Sequence, residues 1–327
     1  MNGRILFPLA FFYLLVAALP AQSDQFVVRS ITGVVNCVEH PGADQHRLVH
    51  GQTLGLDAVV SLSSGASVHL LYKDQSISLE EAGNYPLKTL AADRSKESSS
   101  FLRRFFNYVY EGIVNTSGPK QIEKYHEQYL TQSSGGIKGF AGADYGVTIT
   151  QPVMGNLIPQ SMAFEWFSAG DSILYDFQII DYQTDGLIFK ALLRDTSLVV
   201  NLQQLAVEPG RKYYWVVWQK RLGETTLGFP LADDPYRRSP KMEFVVSGMQ
   251  VQDLAMDLKA TDEYKNADET DRSLMLAQVL EEANYPAQAN QVLLGALEKE
   301  PGDPLIRKVY AAFLIRQGLW EAAQRQL

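Results

Sequence analysis

Four residues near the start of the chain carry the side chains best suited to a soft or borderline metal ion. They are Cys37, His40, His46 and His50, spaced Cys37-x2-His40-x5-His46-x3-His50. Thiolate and imidazole ligands suit zinc or copper, and the turn at Pro41-Gly42 would bring His40 and His46 together across a hairpin. The spacing matches no standard metal site, and on a strand Cys37 and His40 would face opposite ways. The preferred expectation is solvated hairpin histidines, with no metal and no cofactor. Alternation places Cys37 with Ile31 and Val35, as a small buried apolar residue.

A second set is aromatic and basic. Tyr214 and Trp218 stand in a strand-like run, and Phe229, Tyr236, Arg237 and Arg238 stand in the long connection from Arg221 to Pro240. Rings of this kind can stack on sugars or hold a protein, and long connections carry function more often than regular elements do. These six residues form the expected partner or ligand surface. Catalytic patterns are missing from the sequence: there is no Gly-x-Ser-x-Gly elbow and no phosphate-binding loop with Lys-Ser/Thr. The acid pairs Glu80-Glu81, Asp233-Asp234 and Glu281-Glu282 are adjacent, so their carboxylates diverge and are expected in solvent. The expectation is a protein that is not an enzyme, with no catalytic residues.

The elements that must position these side chains begin with Pro209-Gly210, a turn that opens the unbroken run Arg211 to Trp218. Aromatic and β-branched residues in sequence suit a strand inside a sheet. Seven strands are expected: 147–149, 162–166, 173–182, 187–192, 198–202, 213–219 and 242–246. About seven strands in about a hundred residues is the pattern of an immunoglobulin-like β-sandwich. Alternation sends Tyr213, Trp215 and Val217 inward and Tyr214, Val216 and Trp218 outward. So apolar an outer face needs cover. The amphipathic helix bearing Phe101, Phe105, Val109 and Ile113 is the expected cover, packed on the sandwich. A second helix is expected from Pro119 to Leu130, followed by a flexible glycine-rich joint at 133–139.

Before this region, short strands alternate between 26 and 79, with turn residues about every ten positions. After Gly248 the apolar period becomes helical. Ala277-x2-Leu280, Tyr285 and Ala289 return about 34 residues later as Ala311-x2-Leu314, Leu319 and Ala323, with Asn284 matched to Gly318 at each internal turn. Asp253 to Ala267 is an expected extra capping helix. The fold class is therefore multidomain and mainly β, with a helical linker and an α-helical repeat tail. Its boundaries are a signal peptide at 1–23, a small β domain at 25–90, the linker at 91–143, the sandwich at 144–248 and the repeat helices at 249–327.

The chain has 327 residues, enough for two or three domains, and a net charge of -8, which argues against nucleic-acid binding. Arg4 followed by the apolar run Ile5 to Leu19 reads as a secretory leader cleaved after Ala21 or Ser23. Export to the periplasm or cell surface is expected, with no stable membrane anchor after cleavage. With one cysteine an exported chain has no internal disulfide, so each domain must rest on its own core.

Three family resemblances add to this reading. Gly33-Val34-Val35, Leu48 to Leu54, Ala58-Val59-Val60 and Gly65 to Leu70 resemble the FecR-type periplasmic β domain, whose members relay signals in the bacterial envelope. Trp166, Leu205, Pro209-Gly210 and Tyr213-x-Trp215-x-Val217 resemble the fibronectin type III family, which implies a spacer or binding architecture and no activity. The repeat resembles tetratricopeptide helices, which implies a protein partner. Together they imply a non-enzymatic cell-envelope scaffold that binds an envelope protein. Alternatives are a carbohydrate-binding surface protein using Tyr214, Trp218 and the 221–240 connection, a FecR-like envelope sensor, and a metal sensor using Cys37 and its neighbouring histidines.

Overall fold

The computed structural model of the chain describes residues 24–92, 100–132, 145–167, 173–221, 237–248 and 251–327. The expected leader, the joint at 133–139 and most of the 221–240 connection, including Phe229 and Tyr236, lie outside these residues. The protein is a mixed β and helical one.

The first part holds eight strands: β1 (Gln25–Thr32), β2 (Val35–Val38), β3 (His46–Arg47), β4 (Thr53–Gly55), β5 (Val59–Leu62), β6 (Ser67–Tyr72), β7 (Gln75–Leu79) and β8 (Gly83–Pro86). They form two four-stranded sheets, in the orders β4-β1-β6-β7 and β3-β2-β5-β8. The chain breaks at Gly33 between β1 and β2, so β1 joins one sheet and β2 the other. Alternating apolar residues Phe26, Val28, Cys37, Val60 and Leu70 fill the space between them. Helix α1 (Leu87–Ala92), absent from the sequence expectation, adds Leu87 to that core.

Helix α2 (Ser100–Asn115) and helix α3 (Pro119–Gln132) follow. The apolar stripe of α2 forms as expected, but its partner differs. Phe105, Phe106, Val109 and Ile113 are buried with Val27 of β1, Leu71 of β6 and the C-terminal helices, away from the sandwich sheet. Nothing in an amphipathic stripe names the surface it will cover. Here, close approach decides: a Cβ at Gly112 would lie 3.3 Å from the Cα of Val309, so α2 presses its backbone against a helix of the tail. Each phenylalanine so buried stabilises the assembly by about 1.5–3 kcal/mol.

The central strands are β9 (Thr148–Gln151), β10 (Gly155–Leu157), β11 (Ser161–Phe167), β12 (Ile173–Asp181), β13 (Leu187–Leu193), β14 (Ser197–Asn201), β15 (Lys212–Arg221) and β16 (Met242–Val246). They make a five-stranded sheet, β10-β16-β15-β12-β13, and a three-stranded sheet, β14-β11-β9, around one aromatic core. Trp166, Phe177 and Trp215 are buried there, and Trp215 donates its indole N–H to the Pro152 carbonyl at 3.2 Å. Strand β10, which the sequence pattern does not mark, runs parallel to β16. Its three residues, Gly155–Leu157, offer too short a pattern to be read alone.

The tail holds α4 (Val251–Leu254), α5 (Met256–Ala260), α6 (Asp262–Asn266), α7 (Glu269–Glu282), α8 (Pro286–Lys299), α9 (Pro304–Arg316) and α10 (Trp320–Gln324). The single helix expected over Asp253 to Ala267 is divided among three short ones, with breaks at Ala255 and at Thr261, and the Thr261 side chain caps α6. Asp268 caps α7 and Asp303 caps α9, each accepting a backbone N–H. Pro286 and Pro304 begin α8 and α9, where their missing N–H costs nothing. Asn284 and Gly318 both take positive φ, 62° and 75°, at the matched turns of the repeat.

The tail touches every other part. Arg29 of β1 pairs with the buried Asp271 of α7, and Lys308 of α9 donates to the Gly51 carbonyl at 2.7 Å. Burial holds the Lys308 amine below its ordinary range. Arg316 of α9 grips Glu281 of α7 through two hydrogen bonds of 2.7 and 2.8 Å, and reaches Tyr125 of α3 at 3.1 Å. At the sandwich, a Cβ on Gly155 would fall 2.5 Å from Pro286 Cδ and 3.1 Å from the Asn284 carbonyl. The neighbouring Asn156 donates its backbone N–H to that carbonyl at 2.8 Å.

This contact predicts the cost of one methyl group. Gly155→Ala meets both the clash and a φ of 150°, and is expected to lower stability by about 2–4 kcal/mol. Gly295→Ala, in open space on α8, is expected to raise it by up to about 1 kcal/mol. Urea unfolding of the two variants beside the parent measures both shifts.

Candidate functional site

The outer face of the five-stranded sheet carries the residues singled out by sequence, and β15 positions them. Because Tyr213, Trp215 and Val217 fill the core, Tyr214, Val216 and Trp218 face the other way. Tyr214 and Val216 are nonetheless buried and Trp218 is half-buried. The expected cover, α2, lies elsewhere, and the neighbours supplied instead are largely cationic. Lys241 sits over the Tyr214 ring at 4.7 Å, and Arg238 lies 5.7 Å from the Trp218 ring and 5.6 Å from that of Tyr145. Lys212 lies over Tyr182 at 4.6 Å and pairs with Glu243 at 2.9 Å. Such contacts contribute about 0.5–2 kcal/mol each, according to how far they are desolvated.

Arg238 reaches Trp218 because its segment continues the edge left by β16. The two residues form an isolated antiparallel pair, and Ser239, buried, receives the Val217 N–H on its hydroxyl at 3.0 Å. Of the six expected surface residues, the structure thus brings together Tyr214, Trp218 and Arg238. Arg237 is adjacent in the chain, and Phe229 and Tyr236 fall outside the described residues.

Two carboxylates anchor the sheet, Asp176 on this face and Asp181 at the end of β12 opposite Tyr213, and neither was picked out by sequence. Asp176 is buried beside Trp218 in the register, with Lys190 at 3.0 Å and Lys220 at 2.9 Å. Burial alone would raise its pKa; Lys220, Gln178 and Lys190 outweigh burial and lower it. Asp181 ends β12 and accepts the backbone N–H groups of Gln183 and Thr184, both at 2.9 Å, beside the Arg211 guanidinium. Burial opposes its ionised form, but the Thr184 N–H, Arg211 and the Gln183 N–H hold it at about 2. The only signal in sequence is that Asp181 precedes a Thr-Asp-Gly turn.

The metal-like set is dispersed. Cys37 points into the core, where burial first and Glu39 second push its thiol up to about 11, leaving it protonated and a poor ligand. His46 meets Gln52 at 2.9 Å, His50 accepts the Ile31 N–H at 3.1 Å, and His40 lies exposed at the turn. Among the described residues, no group of three or more His, Cys, Asp or Glu could hold a metal ion.

A cleft of about 420 Å³ lies where the first β part meets the tail, lined by Arg29, His50, Asp268, Asp271, Glu300 and Asp303. Most of its charge is committed. Arg29 is paired with Asp271, and Asp268 and Asp303 cap α7 and α9. Among the described residues, no helix is long and apolar enough to cross a membrane.

No protein-family model matches the chain, and no curated protein matches it either. Among solved structures it is similar to a beta-1,2-glucanase from Parabacteroides distasonis, at 9% identity and a TM-score of 0.23. That match covers 92% of this chain and 48% of the glucanase, so the chain spans about half the length of the structure it matches.

Two outcomes follow from this chemistry. Cys37 is expected to stay silent to a thiol reagent until the protein unfolds, with equal melting temperatures in zinc and in chelator; a shift with zinc would restore the metal reading. The stabilising effect of Asp181 is present above its ordinary value of 3.8 and lost as pH falls toward about 2. Asp181→Asn is therefore expected to flatten the acid limb of stability in that window, measured by denaturation at stepped pH.

Proposed function

We propose that this chain is a non-enzymatic scaffold of the cell envelope that presents a partner protein with a rigid composite of three modules. The observation that carries this reading is the continuous core running from Val27 and Leu71 through Phe105 and Val109 to Leu274 and Val309, with Ile158 joined to it. Modules fused in this way keep fixed angles, which suits holding more than it suits a moving catalytic cleft.

Finer assignments rest on local features. Supporting a fibronectin-like sandwich are the two sheets of three and five strands and the Tyr213 hydroxyl, which accepts the Glu208 N–H at 2.8 Å as a corner tyrosine does. Supporting a tetratricopeptide-like tail are the paired left-handed turns at Asn284 and Gly318 and the burial of Ala277, Ala289, Ala311 and Ala323. The FecR-like assignment of residues 25–90 rests on the glycine and strand pattern alone, and export rests on the leader. A carbohydrate platform is the weaker alternative, because cations already sit over the rings that a sugar would need.

Photo-crosslinking in intact cells, from probes at the exposed positions Val34, Tyr182 and Met256, tests the reading. A discrete adduct with an envelope protein is the expected result, together with no saturable change in tryptophan fluorescence on titration with envelope glycans. Saturable quenching without a protein adduct, or turnover of a glycan by the purified chain, would replace the scaffold with the alternative.

A further inference from the structure

The five-stranded sheet is finished differently at its two edges. At one edge, β10 lies under α8 and the Asn284 turn, with backbone and side-chain hydrogen bonds crossing between them. At the other edge, β13 bonds to β12 on one side, and among the described residues no strand bonds to the other. An open edge offers a row of unpaired N–H and C=O groups to any extended chain. This edge is also apolar. Leu187 is 57% exposed and Leu192 54%, and Val199, on the edge strand β14 of the facing sheet, is 69% exposed.

We propose that β13 pairs antiparallel with β13 of a second copy of this chain, joining two five-stranded sheets across a two-fold axis. The register of β13 argues for this occupant. Leu192 stands opposite Asp176 and Leu187 opposite Ile180, with Ile188 as the extra residue of a bulge. The bulge puts Leu187 and Leu192 on one face although their numbers differ by an odd count. Antiparallel self-pairing then sets Leu187 against Leu192 of the second copy, and Leu192 against its Leu187. The flanking charges match in the same register. Asp185 precedes the strand and Arg194 follows it, both exposed. The pairing therefore brings each Asp185 beside the other copy's Arg194, giving two opposite-charge contacts by symmetry.

Lys190 falls at the two-fold axis, facing its own copy. Each Lys190 is held 3.0 Å from Asp176 of its own chain, a carboxylate shared with Lys220, which reduces the repulsion between the two lysines without cancelling it. The association joins sheets and does not depend on the scaffold reading.

The test is sedimentation velocity of the full-length chain, expressed with its own N-terminal segment, from low concentration to about 100 µM. A dimer is expected in that range. Arg194→Glu is expected to weaken association by about tenfold, and adding Asp185→Lys to restore it to within about threefold. Leu187→Lys with Leu192→Lys, at exposed sites that leave the fold intact, is expected to give a monomer with an unchanged thermal transition. That pair keeps the proposal testable if the charge swap folds poorly. A parent chain that stays monomeric throughout would overturn the pairing. So would a dimer indifferent to both the charge and the leucine variants. Protection of the β13 amides from exchange in a monomer, appearing only when an extended foreign peptide is added, would give the edge to another protein and likewise overturn it.

Discussion

The contact between Gly155 and Pro286 is the constraint on which the arrangement of this molecule depends. A proline ring that starts a helix sits where a side chain on the strand would have been. The turn that delivers it needs Asn284 in the left-handed region, and the Asn284 carbonyl then accepts the Asn156 N–H. Sandwich and tail are therefore locked by backbone shape, which few substitutions can imitate. Asn290 extends the lock: it donates to Gln151 of β9 at 2.7 Å and accepts the Tyr310 hydroxyl at 2.9 Å. From that point the tail reaches outward to α2, α3 and the first β part, so its helices act as a common wall instead of an appended array.

The outer sheet face follows a different logic. Charge is placed there where water is scarce, and it is affordable only because each ion has more than one neighbour. Asp176 is shared between Lys190 and Lys220 and also accepts from Gln178 at 3.1 Å. Tyr214 receives Lys241 on its ring and donates its hydroxyl to Asp185 at 3.3 Å. Aromatic rings that look, in sequence, like a platform for a ligand are here partly spent on internal cations.

Local pattern was legible where one strand or one helical turn carries its own signal. The run from Lys212 to Arg221 announces itself through β-branched and aromatic residues, and the partition of Tyr213, Trp215 and Val217 from Tyr214, Val216 and Trp218 follows from alternation. The matched turns at Asn284 and Gly318 were legible from the repeat period. Partners at long range were not. The stripe on α2 was read correctly as a stripe, yet its assignment to the sandwich failed because neighbours in sequence need not be neighbours in space. The separate fates of Cys37, His46 and His50 have a related cause, since the core holds Cys37, Gln52 meets His46 and the Ile31 N–H engages His50. Asp176 gave no sign at all, since its meaning lies in lysines that arrive from two other strands.

The pairing of Arg29 with Asp271 spans 242 positions of the chain, and it has a temporal consequence. During synthesis, helix α2, which packs on Val27 and Leu71, is complete long before α7 and α9 exist to cover its other side. Contacts so distant close slowly, and the surfaces waiting for them are prone to stick to other molecules. Until those last helices emerge, the first half therefore exposes an apolar helix face, and the yield of folded protein depends on timing as well as on final stability.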